Sequence, residues 1–236
     1  MKPVILQKSE IVIGKKKEEK LLAKKFFPTC LLKMKYLINF TYKIHPKTAY
    51  KLTVKLLAVT AKKKLSTNAK AFYKKGVKRN IKIEGATFCT YTYGNGPLIL
   101  MLHGWCSSAS RWRVYVNELV NLGYKVMVVD APGNGTAPGR FLSFFLYAKG
   151  IKAILKSETK WYGVITHSIA GLSAITAIGN LDKKYHPAKF IMMNTFAKAT
   201  TILQKFSQCL GLSGEVIKYT NEQMSSYNDF PLHEFD

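Results

Sequence analysis

From residue 81 onward, short apolar runs alternate with segments whose apolar residues recur at helical spacing. Period-two patterning predicts two strands, at Ile81–Glu84 and Thr87–Tyr93, joined at Gly85. Continuous apolar runs then favour four strands buried on both faces: "PLILML", "YKVMVVD", "YGVIT" and "AKFIMMN". Helices are predicted between them at Trp112–Leu122, Phe141–Leu155 and Ile169–Ile178. This alternation predicts an α/β fold, a three-layer sandwich with a mostly parallel sheet between helices.

The first 80 residues have a different pattern, in which lysines fill the positions between apolar residues. In "TAYKLTVKLLAVTAKKK", leucines recur at roughly helical spacing, and Pro28 and Pro46 are expected to separate such helical pieces. We therefore predict a lysine-rich helical extension over residues 1–80 and a partial α/β domain over residues 81–236. Within that domain, short cap helices are predicted around residues 197–227.

The positive charge is concentrated in the extension. The chain has a formal net charge of +24, and residues 1–82 hold 22 Lys and one Arg against three Glu. Because lysine so outnumbers arginine, the composition favours diffuse electrostatic attraction to an anionic partner over bidentate recognition of phosphates or bases. Three interpretations stay open, in decreasing order of preference: a solvated lysine face, an interfacial helix on an anionic membrane, and a nucleic-acid contact.

The cysteines and the start of the chain indicate the cellular compartment in which we expect the protein. Cys30, Cys89, Cys106 and Cys209 are widely separated and form no C-x-x-C pair, so zinc and dithiol sites are disfavoured. The lysine-rich start is not typical of a secretory signal, and no run of eighteen uncharged apolar residues is present. We expect buried thiols in a cytoplasmic protein, with peripheral contact at the inner membrane surface as an open possibility.

Three polar or glycine-containing loops follow predicted strands. They are His103-Gly104-Trp105, the loop Asp130–Gly135 and Thr166-His167-Ser168-Ile169. Ligands of open parallel sheets bind at the carboxyl ends of the strands, so all three loops are expected at one edge. The second loop is a poor dinucleotide fingerprint, since Pro138 occupies the place of the third glycine.

These loops, in this order, resemble those of the α/β-hydrolase family: H-G, then a D-x-P-G-x-G-like loop, then a serine on a strand-to-helix turn. The resemblance implies that Ser168 is the nucleophile that forms an acyl-enzyme. It also implies that the backbone N–H groups of Trp105 and Ile169 form the oxyanion hole. The implied substrate is a small molecule with an ester, thioester or amide bond, and no metal or organic cofactor is implied.

The serine motif departs from the family pattern G-x-S-x-G. Thr166 and Ala170 replace the two glycines, so Ser168 as an ordinary helix N-cap remains an alternative. We expect His103 and Asp130 to support the loops structurally, His167 to pack beside the elbow, and His45 and His186 to lie in exposed loops.

The family's acid and histidine follow later strands, and no candidate positions for them occur before Asp236. We therefore expect the last strands to be absent and the hydrolase to be impaired. The alternative is a non-catalytic protein that binds anionic membrane or nucleic acid through its cationic N-terminus. The oligomeric state stays open.

Overall fold

The computed structural model describes residues 32–195 and 199–225, which form two compact units. The sheet unit comprises the described residues from Ala58 to Ala199, and the helical unit combines residues 32–57 with residues 200–225. This division differs from the predicted boundary at residue 80, because Phe72 and Tyr73 are buried in a core of the sheet unit. The predicted cap helices also belong to the helical unit rather than to the sheet unit.

The sheet unit contains six strands among the described residues. They are β1 (Val77–Ile83), β2 (Ala86–Tyr93), β3 (Leu98–Leu102), β4 (Lys125–Asp130), β5 (Trp161–His167) and β6 (Lys189–Met193), in the order β1-β2-β4-β3-β5-β6. Strand β2 is antiparallel to β1 and β4, whereas the pairings among β3, β4, β5 and β6 are parallel. The predicted mostly parallel sheet is confirmed.

The predicted hairpin at Gly85 is confirmed. Ile83 pairs with Ala86, so the loop holds only Glu84 and Gly85, with φ of 49° and 77°. Positive φ at both central residues is the geometry that matches the twist of the flanking strands.

Helices cover both faces of the sheet, as predicted. They are α3 (Thr67–Lys75), α4 (Arg113–Asn121), α5 (Phe144–Lys156) and α6 (Ile169–Gly179). Alternate residues of β3 point to opposite faces: Leu100 joins a core with Tyr147 and Ile151 of α5, whereas Met101 joins one with Val116 of α4. The continuous apolar run of β3 is thus explained by two separate cores.

Strand β6 corrects one prediction. The run "AKFIMMN" was expected to be buried on both faces, yet Ile191 and Met192 are 51% and 48% exposed. Among the described residues β6 has only β5 as a neighbour and forms the edge of the sheet. Apolar composition signalled a strand, but burial depends on neighbours that composition does not specify.

The helical unit contains α1 (Met34–Ile44), α2 (Pro46–Leu57), α7 (Ala199–Leu210) and α8 (Gly214–Ser225). Pro46 begins α2, so the predicted break there is confirmed, while Pro28 lies outside the described residues. The core of this unit is formed by apolar residues that include Ile38, Leu56, Leu210 and Val216. None of the helices in the described ranges is long and apolar enough to cross a membrane.

Candidate active site

Ser168 connects the end of β5 to the start of α6 in a strained conformation. Its φ is 58° and its ψ is −130°, and its side chain makes no capping hydrogen bond. An N-cap serine has extended dihedrals and accepts a backbone N–H, so the N-cap alternative does not describe Ser168. A non-glycine residue in such a conformation costs on the order of 1–3 kcal/mol, and such residues cluster at functional sites.

The two side chains that replace the family's glycines fit without opening the sheet. Thr166 is fully buried, and its hydroxyl donates to the carbonyl of Ile191 on β6 at 3.3 Å. Ala170 is also fully buried and belongs to the core between the sheet and α5. The departures from G-x-S-x-G are therefore compatible with a strand-to-helix turn.

Two hydrogen bonds join the end of β6 and the loop after it to the strand-to-helix turn at Ser168. The Ser168 N–H donates to the Met193 carbonyl at 3.0 Å, and the Thr195 hydroxyl donates to the Ser168 carbonyl at 3.3 Å. A Cβ atom on Gly171 would lie 2.4 Å from the Thr195 Oγ1 atom. The position that requires glycine is thus Gly171, one residue later than in the family pattern.

The loop after β3 lies directly against Ser168. A Cβ atom on Gly104 would lie 2.9 Å from Ser168 Cβ and 2.8 Å from His167 Nδ1, so no side chain is tolerated there. The carboxyl end of β3 and the strained serine after β5 therefore meet, on a sheet whose second strand is antiparallel to its neighbours. The chain has the α/β-hydrolase fold. The two predicted oxyanion donors, Trp105 and Ile169, directly follow the residues that touch at this point.

His103 has a structural role in this hydrolase fold. Its imidazole is buried, and its Nδ1 lies 2.7 Å from the Gly104 carbonyl, while its Nε2 accepts the Ala131 N–H at 3.2 Å. Nδ1 therefore carries the proton and both ring nitrogens are occupied. Burial lowers the pKa of His103, which keeps the ring neutral. The side chain joins the loops after β3 and β4, and no nitrogen is left to act as a base.

Asp130 is a buried centre of hydrogen bonds rather than a triad acid. Its Oδ1 accepts the Ala109 N–H at 2.7 Å and the Tyr73 hydroxyl at 3.1 Å. Its Oδ2 accepts both the N–H and the hydroxyl of Thr136, at 2.7 and 2.9 Å. Gly135 has φ of 51°, and a Cβ atom there would lie 2.2 Å from the carboxylate. With four donors bound, Asp130 organises the loops around it.

The other described histidines do not complete a triad. His167 is exposed beside the elbow, and burial of part of its ring together with the positive charge of Arg111 lowers its pKa. No described carboxylate pairs with His103 or His167. His45 and His186 are exposed and bond locally, to Thr48 and to the Leu181 carbonyl, and His233 lies outside the described residues.

Tyr73, Thr136 and Thr195 were not predicted from the sequence, and their hydrogen bonds hold Asp130 and Ser168 in place. Tyr73 links α3 to Asp130, and its hydroxyl also accepts the Ser110 N–H at 3.2 Å. Its pKa is raised, first by burial and then by the Asp130 charge, so it remains a donor. Tyr73 and Thr195 lie 57 and 27 residues from their partners, so no local motif marks them, whereas Thr136 lies only six residues after Asp130. Within residues 32–195 and 199–225, no three potential ligands cluster as a metal site would require.

Known structures resemble the chain in part. A thioesterase domain from the curacin biosynthetic pathway is 17% identical, with a TM-score of 0.46 over 61% of this chain and 64% of that domain. An epoxide hydrolase from Vigna radiata is 18% identical, with a TM-score of 0.43 over 50% of this chain and 40% of that enzyme. An epoxide hydrolase from an endophytic Streptomyces is 26% identical, with a TM-score of 0.37 over 43% and 34%.

The chain thus spans less than two thirds of the length of each of these proteins. No protein-family model matches the sequence, and no curated protein matches it.

Proposed function

We propose that the chain carries the nucleophile and the oxyanion hole of a serine hydrolase, which cleaves a carboxylic ester, thioester or amide through an acyl-enzyme. The observation that carries the proposal is the backbone of Ser168, which has positive φ and no capping hydrogen bond at the carboxyl end of the sheet. A serine held in this way has its hydroxyl available for chemistry.

The reaction follows from these groups. The Ser168 Oγ attacks the carbonyl carbon, and the leaving alcohol, thiol or amine departs with a proton as the acyl-enzyme forms. Water then cleaves the acyl-enzyme and regenerates the hydroxyl. The negative oxygen of each tetrahedral intermediate would be held by the N–H groups of Trp105 and Ile169. Removal of one such donor typically costs about 100- to 1,000-fold in rate.

We further propose that this chain is impaired, since nothing among the described residues activates Ser168. The ring of His103 is occupied on both nitrogens, and His167 has no acidic partner in the described ranges. A hydroxyl without a base is a poor nucleophile at neutral pH. Triad losses cost roughly four to six orders of magnitude in rate.

Labelling with a fluorophosphonate tests both parts of this proposal. We expect slow labelling that reaches one adduct per chain, located by mass spectrometry at Ser168, and none in the Ser168→Ala variant. Ser173→Ala is a matched control, because Ser173 is a buried serine of α6, the helix that follows Ser168, and its hydroxyl donates to the Phe144 carbonyl.

Fast labelling of Ser168 would disprove impairment while keeping the nucleophile. No adduct even after long incubation would reject Ser168 as the nucleophile and favour the alternative, a non-catalytic binding protein. A burst of product from an activated ester and from a thioester, each compared with Ser168→Ala, would then narrow the substrate class.

A further inference from the structure

Helix α1 has two apolar faces, and only one of them is buried. Ile38 is fully buried in the core of the helical unit, with Met34 and Tyr42 packed beside it. The opposite residues are open to solvent: Tyr36, Leu37, Phe40 and Ile44 are 70%, 49%, 64% and 69% exposed. We call these four residues the outer face of α1.

The outer face is a continuous stripe rather than scattered side chains. Residues 36, 40 and 44 are four apart, and residue 37 lies three before residue 40, so all four lie on one side of the helix. Single exposed apolar residues are common on protein surfaces, whereas a contiguous stripe marks a binding surface.

Helices α1 and α2 carry charge of a single sign, whereas α8 of the same unit holds Glu215 and Glu222. Residues 32–57 contain six lysines and neither Asp nor Glu, and α2 places Lys47, Lys51 and Lys55 in a row at intervals of four. Helices α1 and α2 pack against each other within the helical unit. The Lys35 ammonium lies 4.9 Å from the ring centre of Tyr36, so cation and aromatic ring are already adjacent.

We propose that the outer face of α1 docks onto an anionic lipid membrane, with the helix lying in the plane of the interface. The apolar stripe would enter the boundary between headgroups and acyl chains, and the lysines would contact the anionic headgroups. An eleven-residue helix is only about 16 Å long, too short to span the bilayer core, so it would lie flat.

Other occupants fit these residues less well. Two copies paired through this face would bring together the positively charged helices α1 and α2 of each copy. A nucleic acid would be attracted by the lysines and would offer stacking to Tyr36 and Phe40, but it would not bury Leu37 and Ile44. Aliphatic, tyrosine and lysine side chains together match the chemistry of a membrane interface.

Vesicle co-sedimentation of the full chain tests the proposal. We expect binding to phosphatidylcholine vesicles that contain about 30% phosphatidylglycerol, weaker binding as salt rises, and little binding to pure phosphatidylcholine. The double variant Phe40→Ser, Ile44→Ser should weaken binding by at least about tenfold, since burial of one large apolar side chain is worth about one to two decades in an equilibrium constant.

Two further variants separate the apolar and the electrostatic contributions. The triple variant Lys47→Gln, Lys51→Gln, Lys55→Gln should lower binding by about fivefold per lysine and flatten the salt dependence. Val114→Ser with Tyr115→Ser is the matched control, because those side chains are 59% and 51% exposed on α4 of the sheet unit and should not affect binding. Far-UV circular dichroism checks that each variant stays helical.

Several results would overturn the proposal. These are no binding at low salt, equal binding to vesicles without anionic lipid, and binding unchanged by the Phe40→Ser, Ile44→Ser variant. A face used by nucleic acid would instead show oligonucleotide binding that this variant abolishes, without vesicle binding. A face covered by a second copy would show a dimer that the variant splits. Labelling of Ser168 should be the same in all these variants, so this test is independent of the hydrolase proposal.

Discussion

Gly104 matters at the scale of single residues because it has no side chain. Its Cα faces Ser168 and the His167 ring, and an added Cβ would come within 2.9 Å of both. Real Cβ atoms do not approach other heavy atoms so closely, so any substitution must move the loop after β3 or the elbow itself.

Gly104→Ala should therefore impair the site more than the fold. We expect the free energy of unfolding to fall by about 1–3 kcal/mol through overpacking. Fluorophosphonate labelling of Ser168 should fall about 100-fold, since a misplacement of about 1 Å can cost that much. Gly179→Ala is the control, because a Cβ atom at that position would meet nothing within 4 Å. Equal labelling of the two variants would show that the Gly104 contact does not position Ser168.

The buried ring of His103 predicts a pH dependence of stability. Because burial lowers its pKa in the folded chain, the unfolded chain binds a proton at higher pH than the folded chain does. The free energy of unfolding should therefore fall as the pH drops below about 6.5, by at most about 1.4 kcal/mol per pH unit for this group. The lowered pKa of His167 acts in the same direction.

Urea unfolding between about pH 5 and 7.5 measures this slope. His103→Asn should be less stable at neutral pH, because the Ala131 N–H loses its acceptor. The dependence of its free energy of unfolding on pH should nevertheless be shallower, by the equivalent of about one bound proton. An unchanged slope would mean that His103 becomes protonated in the folded chain as easily as in the unfolded one.

The positions of most of the site loops could be predicted from the sequence, but the contacts and hydrogen bonds between the loops could not. Three loops after apolar runs were expected at one edge, and the contact of Gly104 with Ser168 joins two of them. Two of the four donors of Asp130, the Tyr73 hydroxyl and the Ala109 N–H, come from 57 and 21 residues away. Hydrogen bonds at such separations depend on the finished fold and leave no local pattern.

At the scale of elements, β6 forms an exposed edge of the sheet among the residues that the structure describes. Ile191 and Met192 are neighbours in the strand, so their exposed side chains point to opposite faces. An apolar strand with an open edge is a template for pairing with another chain.

Ile191→Lys should therefore reduce self-association of the chain. A charge on an edge strand opposes pairing, so the protein concentration at which light scattering rises should increase. The free energy of unfolding should change by less than about 0.5 kcal/mol, because the side chain is half exposed. Val114→Lys places the same charge on a comparably exposed residue of α4 and should leave scattering unchanged. If both variants raised that protein concentration equally, the reduced self-association would be due to net charge and not to the edge strand.

The elements themselves were largely predictable, since β3, β4, β5 and β6 coincide with apolar runs and β2 with an alternating pattern. Helix α3 shows why the division of the chain was not. Lysines Lys70, Lys74 and Lys75 give it the composition of the preceding segment, yet Ala69, Phe72 and Tyr73 bury its other side. Composition averages over both sides of a helix, whereas packing depends on one side only.

For the whole molecule, the candidate nucleophile and the outer face of α1 fall on different units, whereas both units carry net positive charge. Ser168, Gly104 and Asp130 belong to the sheet unit, while the outer face of α1 and its lysines belong to the helical unit. A chain with a net charge of +24 is attracted to anionic surfaces in general, so variants that remove apolar residues discriminate better than variants that remove charge.

The backbone of Ser168 also bears on how the sequence can change over time. Glycine adopts positive φ without the penalty that serine incurs, so a chain under selection for stability alone would drift toward glycine at this position. Natural proteins stay close to the stability that they need, and penalties of this kind persist where function requires them. If Ser168 is the proposed nucleophile, the need for its hydroxyl explains why a less stable residue than glycine is kept at this position.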